Sequence, residues 1–390
     1  MRLSVLLFLT LLLMSVWLAL TTSSALPDPS VKSGMKADPA DLVLLFEPSE
    51  GGWSIVNVER GTRERVFHES YWDFRRSPDG SRVAYPCSGA LCVVRVDRQS
   101  RRVVISPPPG GASEASFPTW SPDGRQIAVR WSKGDPSATD IWTVNTDGSH
   151  YRRVAHPGGE ARQAFWSPDG SSIAYSVASR GIYVIRSDGS ARRQIMSEHG
   201  AATVDPLWSP QGSLIAYVQD ADTPRDGIYV VRPDGSQRRR LVKLLRNDAE
   251  YGRLPGAVSW SSDGRSLTYA KYANGAVSAF VIEVKTGRQT RLGPGTANFA
   301  PHAAAMVFST DAPIGNTLYR GRLTLIRPGT TSRPLLDEHV STYAWSSDGK
   351  RLAYTKQNGL WVIDLATRTR HHVLSWHTPS THYKGPLIWG

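Results

Sequence analysis

The sequence predicts an all-β fold: a β-propeller of four-stranded blades, eight in number with seven as the alternative, closed into a ring by strands from both chain ends. Three observations predict it. A Ser-Pro-Asp-Gly turn or a variant of it changed at one residue, most often preceded by Trp, occurs six times, at a spacing near 45 residues in all but the last interval. Each occurrence is followed by the same succession of short alternating strands rich in β-branched and aromatic residues. No stretch beyond the first 20 residues is dominated by helix formers, while 34 Gly and 26 Pro are scattered as they would be among many turns. With 40% apolar residues the chain can bury a sizeable core, which excludes wholesale disorder.

The elements follow in chain order. Arg2 precedes an apolar run over residues 3–20, and small residues at Ser23 and Ala25 suit a signal peptidase. Residues 1–25 are read as a signal peptide cleaved after Ala25, with a retained membrane anchor as the alternative, since the run of 18 is near the roughly 20 residues that span a bilayer. Either way the remainder is exported, so a periplasmic, extracellular or cell-surface location is expected. No cysteine near the cleavage site would carry a lipoprotein anchor. Residues 26–40 read as a linker and 41–390 as the propeller.

Residues 42–46, 54–58 and 63–67 look like strands two, three and four of a blade that lacks its first. The full repeats then run through Ser77-Pro78-Asp79-Gly80, Trp120-Ser121-Pro122-Asp123-Gly124, Trp166-Ser167-Pro168-Asp169-Gly170, Trp208-Ser209-Pro210-Gln211-Gly212, Trp260-Ser261-Ser262-Asp263-Gly264 and Trp345-Ser346-Ser347-Asp348-Gly349. Pro presets φ at the second turn position, Asp bonds the turn backbone and Gly accepts positive φ. Second strands such as Ile173-Ala174-Tyr175 and third strands such as Ile182-Tyr183-Val184-Ile185 follow. A second tight turn, Asp147-Gly148-Ser149, Asp188-Gly189-Ser190 or Asp234-Gly235-Ser236, leads into a basic fourth strand. The last two Trp-Ser turns are 85 residues apart, so a degenerate repeat is expected between them, with Met306-Val307-Phe308 as its second strand. From Ser77 to Ser346 are six periods of about 45, and residues 41–390 hold close to eight. The segment 384–389 is expected to supply the inner strand missing from the N-terminal blade. A lone four-stranded sheet cannot bury both faces, so the blades must stack on one another, and closure removes exposed sheet edges. The tryptophans read as core between blades. Arg76, in the place that Trp takes elsewhere, reads as the mark of a looser or partner-facing blade.

Cys87 and Cys92 are the only cysteines, and their position across a short turn in an exported chain predicts a disulfide. The net charge of +12 favours anionic surfaces over nucleic acid, which an exported protein does not meet. Arg101-Arg102, Arg152-Arg153, Arg192-Arg193 and Arg238-Arg239-Arg240 open fourth strands and form a candidate belt for anionic polymers.

The succession Trp-Ser-Pro-Asp-Gly, Ile-Ala-Tyr, Ile-Tyr-Val-Val and Asp-Gly-Ser with Arg-Arg resembles the TolB-type propeller repeat over residues 70–376. The resemblance implies the propeller and is poor in functional content, because such repeats also occur in propeller domains of prolyl oligopeptidase-like peptidases and in other exported proteins. The family's α/β domain ahead of the propeller, through which it engages envelope partners, has no counterpart in the 15 residues of the linker. The peptidases' Gly-x-Ser-x-Gly elbow is likewise absent from the sequence.

Candidate ligand-binding residues lie on the face where strands two and three, and successive blades, are joined by variable polar loops. They are Glu114, Glu160, Glu198, His199 and Asp205, each near the start of an inner strand, where they would ring the central channel and take a cation or a basic peptide group. No cofactor is expected, with Ca²⁺ at Asp135, Asp140, Asp220, Asp222 and Asp226 the exception, although no twelve-residue calcium loop is present. His371 and His372 adjoin without a zinc-binding spacing. The reading is a non-enzymatic, monomeric binding or scaffold propeller for a protein or an anionic glycan or envelope polymer. The alternative is a propeller enzyme, a glycan lyase, lactonase or similar hydrolase, using the channel-mouth carboxylates and a divalent metal.

Overall fold

Eight antiparallel sheets account for the strands of the computed structural model. It describes residues 38, 41–47, 52–67, 73–96, 101–106, 114–132, 139–197, 202–203, 206–220, 225–244, 258–273, 276–301, 305–310, 321–327, 333–356, 358–375 and 387–389. Residues 1–25 and 26–40, expected to be a signal peptide and a linker, lie outside them apart from residue 38.

Each blade reads from the inside outward in chain order. Blade one comprises Arg75–Arg76, Arg82–Cys87, Ala90–Arg95 and Arg101–Ile105. Blade two comprises Glu114–Trp120, Gln126–Ser132, Thr139–Asn145 and Arg152–Ala155. Blade three comprises Ala161–Trp166, Ser172–Val177, Gly181–Arg186 and Arg193–Ser197. Blade four splits its first strand into Ala202–Thr203 and Leu207–Trp208, both paired with Ile215–Asp220, before Gly227–Val231 and Arg239–Lys243. Blade five comprises Val258–Trp260, Ser266–Ala273, Ala276–Glu283 and Gln289–Pro294. Blade six, the degenerate repeat, comprises Thr296–Phe299, Met306–Ser309, Gly321–Ile326 and Arg333–Val340. Blade seven comprises Thr342–Trp345, Arg351–Lys356, Gly359–Asp364 and Arg370–Ser375. The closing blade takes its inner strand, Leu387–Ile388, from the C-terminus and Leu42–Glu47, Gly52–Asn57 and Thr62–Phe67 from the N-terminus. Leu44 pairs with Ile388 and Leu45 with Leu387.

The repeated turn explains itself chemically. Ser121 Oγ donates to Asp123 Oδ1 at 2.6 Å and accepts the Gln126 amide at 2.8 Å, while Gly124 sits at φ +67°. Ser261 and Ser346 repeat both bonds. Each buried serine thereby ties strand one to strand two, which is why Ser recurs there together with Asp and Gly.

Packing lies between blades. Ala174, Ile182 and Val184 of blade three close on Trp208, Ile215 and Tyr217 of blade four, and comparable clusters join neighbouring blades elsewhere around the ring. The tryptophans add a directional latch. Trp120, Trp166, Trp208 and Trp260 each donate Nε1–H to a carbonyl of the preceding blade, those of Arg75, Thr119, Phe165 and Leu207, at 2.8, 3.2, 3.1 and 3.0 Å.

Arg76 corrects the sequence reading. It is 9% exposed and belongs to the ring closure, not to a loose or partner-facing blade. Its Nε donates to Gly80 O at 2.8 Å, and its Nη1 donates to Leu42 O at 2.6 Å and to Trp389 O. A planar fork of donors can serve carbonyls of two strands at once, which an indole N–H cannot. Burial, partly opposed by Asp79, pulls the Arg76 guanidinium down to about 10, so it remains a cation at neutral pH.

Candidate functional site on the loop face

Two of the five sequence candidates are described. Glu114 begins the inner strand of blade two and is exposed, and Glu160 immediately precedes that of blade three and is half-buried. Glu198, His199 and Asp205 lie outside the described residues. Asp73, which sequence reasoning missed, precedes the inner strand of blade one and is half-buried. Its repeat position differs from theirs: it stands four residues before the turn serine Ser77, where blades two and three have Phe117 and Gln163, whereas Glu114 and Glu160 stand seven before Ser121 and Ser167. Blades two and three thus carry an acidic residue at the same position, at the loop-face start of the inner strand.

The rim between blades two and three is built around Arg130. Its Nε donates to Ser116 Oγ at 3.0 Å, its guanidinium lies 4.9 Å from the Phe117 ring centroid, and its Nη1 is 3.9 Å from Glu160 Oε1. A register shift between Ser116 and Thr119 puts Phe117 at φ +51° and turns its ring beneath the guanidinium. Glu160 is therefore partly neutralised, whereas Glu114 has no ion-pair partner among the described residues.

Toward the perimeter of blade two the carboxylate of Asp140, its side chain 7% exposed, accepts from His156 Nδ1 at 2.6 Å and from Arg153 Nη1 at 3.3 Å. Both bonds compete with the calcium role expected of Asp140. Of the other calcium candidates, Asp226 is buried and its carbonyl accepts the Leu244 amide at 3.1 Å, while Asp135 and Asp222 and the side chain of Asp220 lie outside the described residues. No cluster of three or more His, Cys, Asp or Glu suited to a metal occurs among the described residues.

The opposite face is committed to structure. Serine hydroxyl and backbone hydrogen bonds hold the Asp123, Asp147, Asp169, Asp188 and Asp234 carboxyls below the ordinary carboxylate value. The basic fourth-strand residues brace neighbouring blades: Arg102 donates to Asp147 O at 3.2 Å, Arg152 to Ser187 O at 2.7 Å and Arg239 to Lys285 O at 3.1 Å. The Arg192 and Arg238 guanidinium groups lie over the Tyr183 and Tyr229 rings. At the seam between blade seven and the closing blade a groove of about 560 Å³ is lined by Arg60, His371, His372 and Asp364, together with Arg351 and its partner Glu59 at 2.9 Å.

Cys87 and Cys92 form a disulfide, Cα to Cα 5.8 Å, across the hairpin whose turn is Ser88-Gly89, both at positive φ. That bridge sits on the loop face and stiffens one of its hairpins.

Comparison with known proteins agrees with this architecture. Residues 72–249 match the family model described as the TolB beta propeller domain, and the chain is a TolB-like propeller. Over 98 residues it is 36% identical to the Tol-Pal system protein TolB of Anaeromyxobacter dehalogenans (strain 2CP-C), a match that covers 23% of this chain and 21% of that protein. The chain thus spans about a fifth of the length of the TolB relatives it matches. Among solved structures it resembles dipeptidyl peptidase 4 of Porphyromonas gingivalis, with 11% identity, a TM-score of 0.61, and 88% and 60% of the two chains covered. It also resembles oligogalacturonate lyase from Vibrio parahaemolyticus, with 11% identity, a TM-score of 0.52, and 81% and 93% covered. At such identities the two structural likenesses show the fold alone.

Proposed function

We propose that this TolB-like propeller is an exported, non-catalytic binding module whose loop face receives a basic segment of a protein partner at the channel mouth. The observation that carries the reading is the contrast between the two faces. The turn face spends its aspartates and arginines on internal hydrogen bonds, whereas the loop face brings Glu114 and Glu160 to equivalent positions on two successive blades, with Asp73 near the inner strand of the blade before, and leaves Glu114 exposed without an ion-pair partner among the described residues. Carboxylates aligned on a rigid ring bind a cationic chain without an ordering cost of their own. The disulfide supports the exported location, since such bridges persist in oxidising compartments. A TolB relative is named as a protein of the Tol-Pal system, which supports a protein as the partner.

The test is affinity capture from envelope extract with the wild type and with the double variant Glu114→Gln, Glu160→Gln, followed by mass spectrometry and metal analysis of the purified chain. A defined set of proteins retained by the wild type and lost by the variant is expected. Retention indifferent to both substitutions overturns the reading. So does a stoichiometric divalent metal whose chelation abolishes a lyase or hydrolase activity, which would instead favour an enzyme.

A further inference from the structure

The repeats allow blades to be compared, and blade two departs from blades three, four and seven at the start of its third strand. The third strand of blades three, four and seven begins with glycine, at Gly181, Gly227 and Gly359. The reason is steric: a Cβ there would lie 2.0, 2.3 and 2.2 Å from the fourth-strand carbonyls of Met196, Val242 and Leu374. Blade two has Asp140 at this position. Its outer ladder ends one residue earlier, at Ile141 opposite Ala155, whereas Gly181 still pairs with Ser197 in blade three. That release makes room for a carboxylate and for His156 opposite it.

A second departure lies on the same face of the same blade. In blades three and four the ring of the third-strand tyrosine is covered by an arginine, Arg192 at 4.4 Å and Arg238 at 4.6 Å. In blade two Tyr151 takes the arginine's place and stacks on Trp142, ring centroids 5.7 Å apart at 22°. Tyr151 is 60% exposed, one of two large hydrophobic residues so exposed among the described residues. The other, Val103, lies on the outer strand of blade one, against which the turn at Gly148 packs, a Cβ there falling 3.2 Å from Val104 O.

Asp140, Trp142, Arg153 and Tyr151 share one side of the two outer strands, because Trp142 pairs with Arg153 and positions two apart face the same way. Asp140, nearly buried, fixes both Arg153 and His156. It accepts from His156 Nδ1 at 2.6 Å, an arrangement in which a neutral imidazole turns Nε2 outward as an acceptor, and the His156 side chain is 63% exposed. The strip therefore runs from a flat aromatic platform through a forked cation to a hydrogen-bond acceptor, positioned from behind by Trp142 and by a carboxylate that no compared sibling blade has.

We infer that this strip on the perimeter of blade two binds an acidic polysaccharide, a linear chain of uronate-type sugars. The C–H face of one pyranose ring rests on Tyr151, a neighbouring carboxylate is gripped by Arg153, and a sugar hydroxyl donates to His156 Nε2. A sugar chain suits the site better than a peptide because the platform is one flat ring with no pocket for a side chain, and because the groups follow one another along a strand edge as residues do along an extended glycan. This surface is separate from the channel mouth and stands or falls without it.

The test is affinity electrophoresis of the full chain in gels containing polygalacturonate, with neutral dextran, poly-glutamate and anionic phospholipid vesicles as the other arms. Retardation by polygalacturonate alone is expected. Tyr151→Ala should lose about tenfold in affinity, a stacking contribution near 1.4 kcal/mol, and Tyr151→Phe should keep it. Arg153→Gln should weaken binding and flatten its dependence on salt up to about 0.5 M. Because Tyr151 is exposed, its variants should melt with the wild type, so a loss of binding is read as a loss of contact. No retardation by polygalacturonate, equal retardation by poly-glutamate, preferential binding to vesicles, or a Tyr151→Ala variant that binds like the wild type would each overturn the inference.

Discussion

Replacing Arg76 by alanine tests the ring closure most directly. The substitution removes the donor from three carbonyls, those of Gly80, Leu42 and Trp389, the last two on opposite chain ends in the closing blade. A buried carbonyl left without a donor costs about 1–3 kcal/mol. The buried guanidinium carries a desolvation penalty that the mutation relieves, so the net loss is expected at about 3–5 kcal/mol, typical of breaking a buried charged network. Urea unfolding followed by tryptophan fluorescence should show the midpoint falling by about 1–2 M for a slope of roughly 3 kcal/mol/M. Arg186→Ala, on an exposed residue, should stay within about 0.5 kcal/mol of the wild type. Hydrogen exchange should localise the damage, with faster exchange at Leu44 and Leu45, whose strand pairs with Leu387 and Ile388. Arg76→Trp, which restores the residue of the other blades, should recover part of the loss. If Arg76→Ala and Arg186→Ala unfold at the same midpoint, the cation does not hold the seam and the reasoning fails.

Two further predictions concern the repeated turns and latches. The turn aspartates titrate below their unfolded value, so the stability they contribute is complete above about pH 4 and is lost as the pH falls through their native values; melting temperature should hold from pH 7 to about 4 and then drop, and the double variant Asp123→Asn, Asp169→Asn should drop less steeply. Trp260→Phe removes an indole bond to Leu207 O at 3.0 Å, whereas the Trp345 indole nitrogen is buried without a hydrogen-bond partner, so in paired urea titrations the first substitution should cost about 1 kcal/mol more than Trp345→Phe.

The blades were legible because a Ser-x-Asp-Gly turn is a local object. The hydroxyl, carboxylate and left-handed glycine that close it stand within four residues, and their return at a steady interval marks each sheet. The degenerate sixth blade was found from spacing alone, and its second strand is Met306–Ser309 as expected. The closing strand was legible for the opposite reason, as a deficit: a blade with three strands at one end of the sequence and a spare apolar segment at the other. What could not be read was chemistry between residues far apart in the chain. The Arg76 bond to Trp389 spans 313 positions, and nothing local to Arg76 announces it. The pairing of Asp140 with His156 crosses a hairpin, yet its trace was present as an aspartate where the repeats of blades three, four and seven have glycine. Of the loop-face carboxylates, Glu114 and Glu160 share one repeat position, seven before the turn serine, whereas Asp73 stands at another, so the repeat did not single it out.

That the first and last strands share a sheet makes the protein a circle with a nick. A nascent chain cannot finish the closing blade until Leu387 and Ile388 emerge, and the two partners that must then meet lie more than 300 positions apart, so docking of Leu387–Ile388 is expected to be a late and slow event of folding. A copy cut short by a few residues would leave Leu44 and Leu45 as a bare apolar edge ready to pair with another chain. By the same token the nick can be moved. Joining the present ends through a short linker and opening the chain at an exposed turn such as Asp188-Gly189 should yield a permuted protein with the same eight blades.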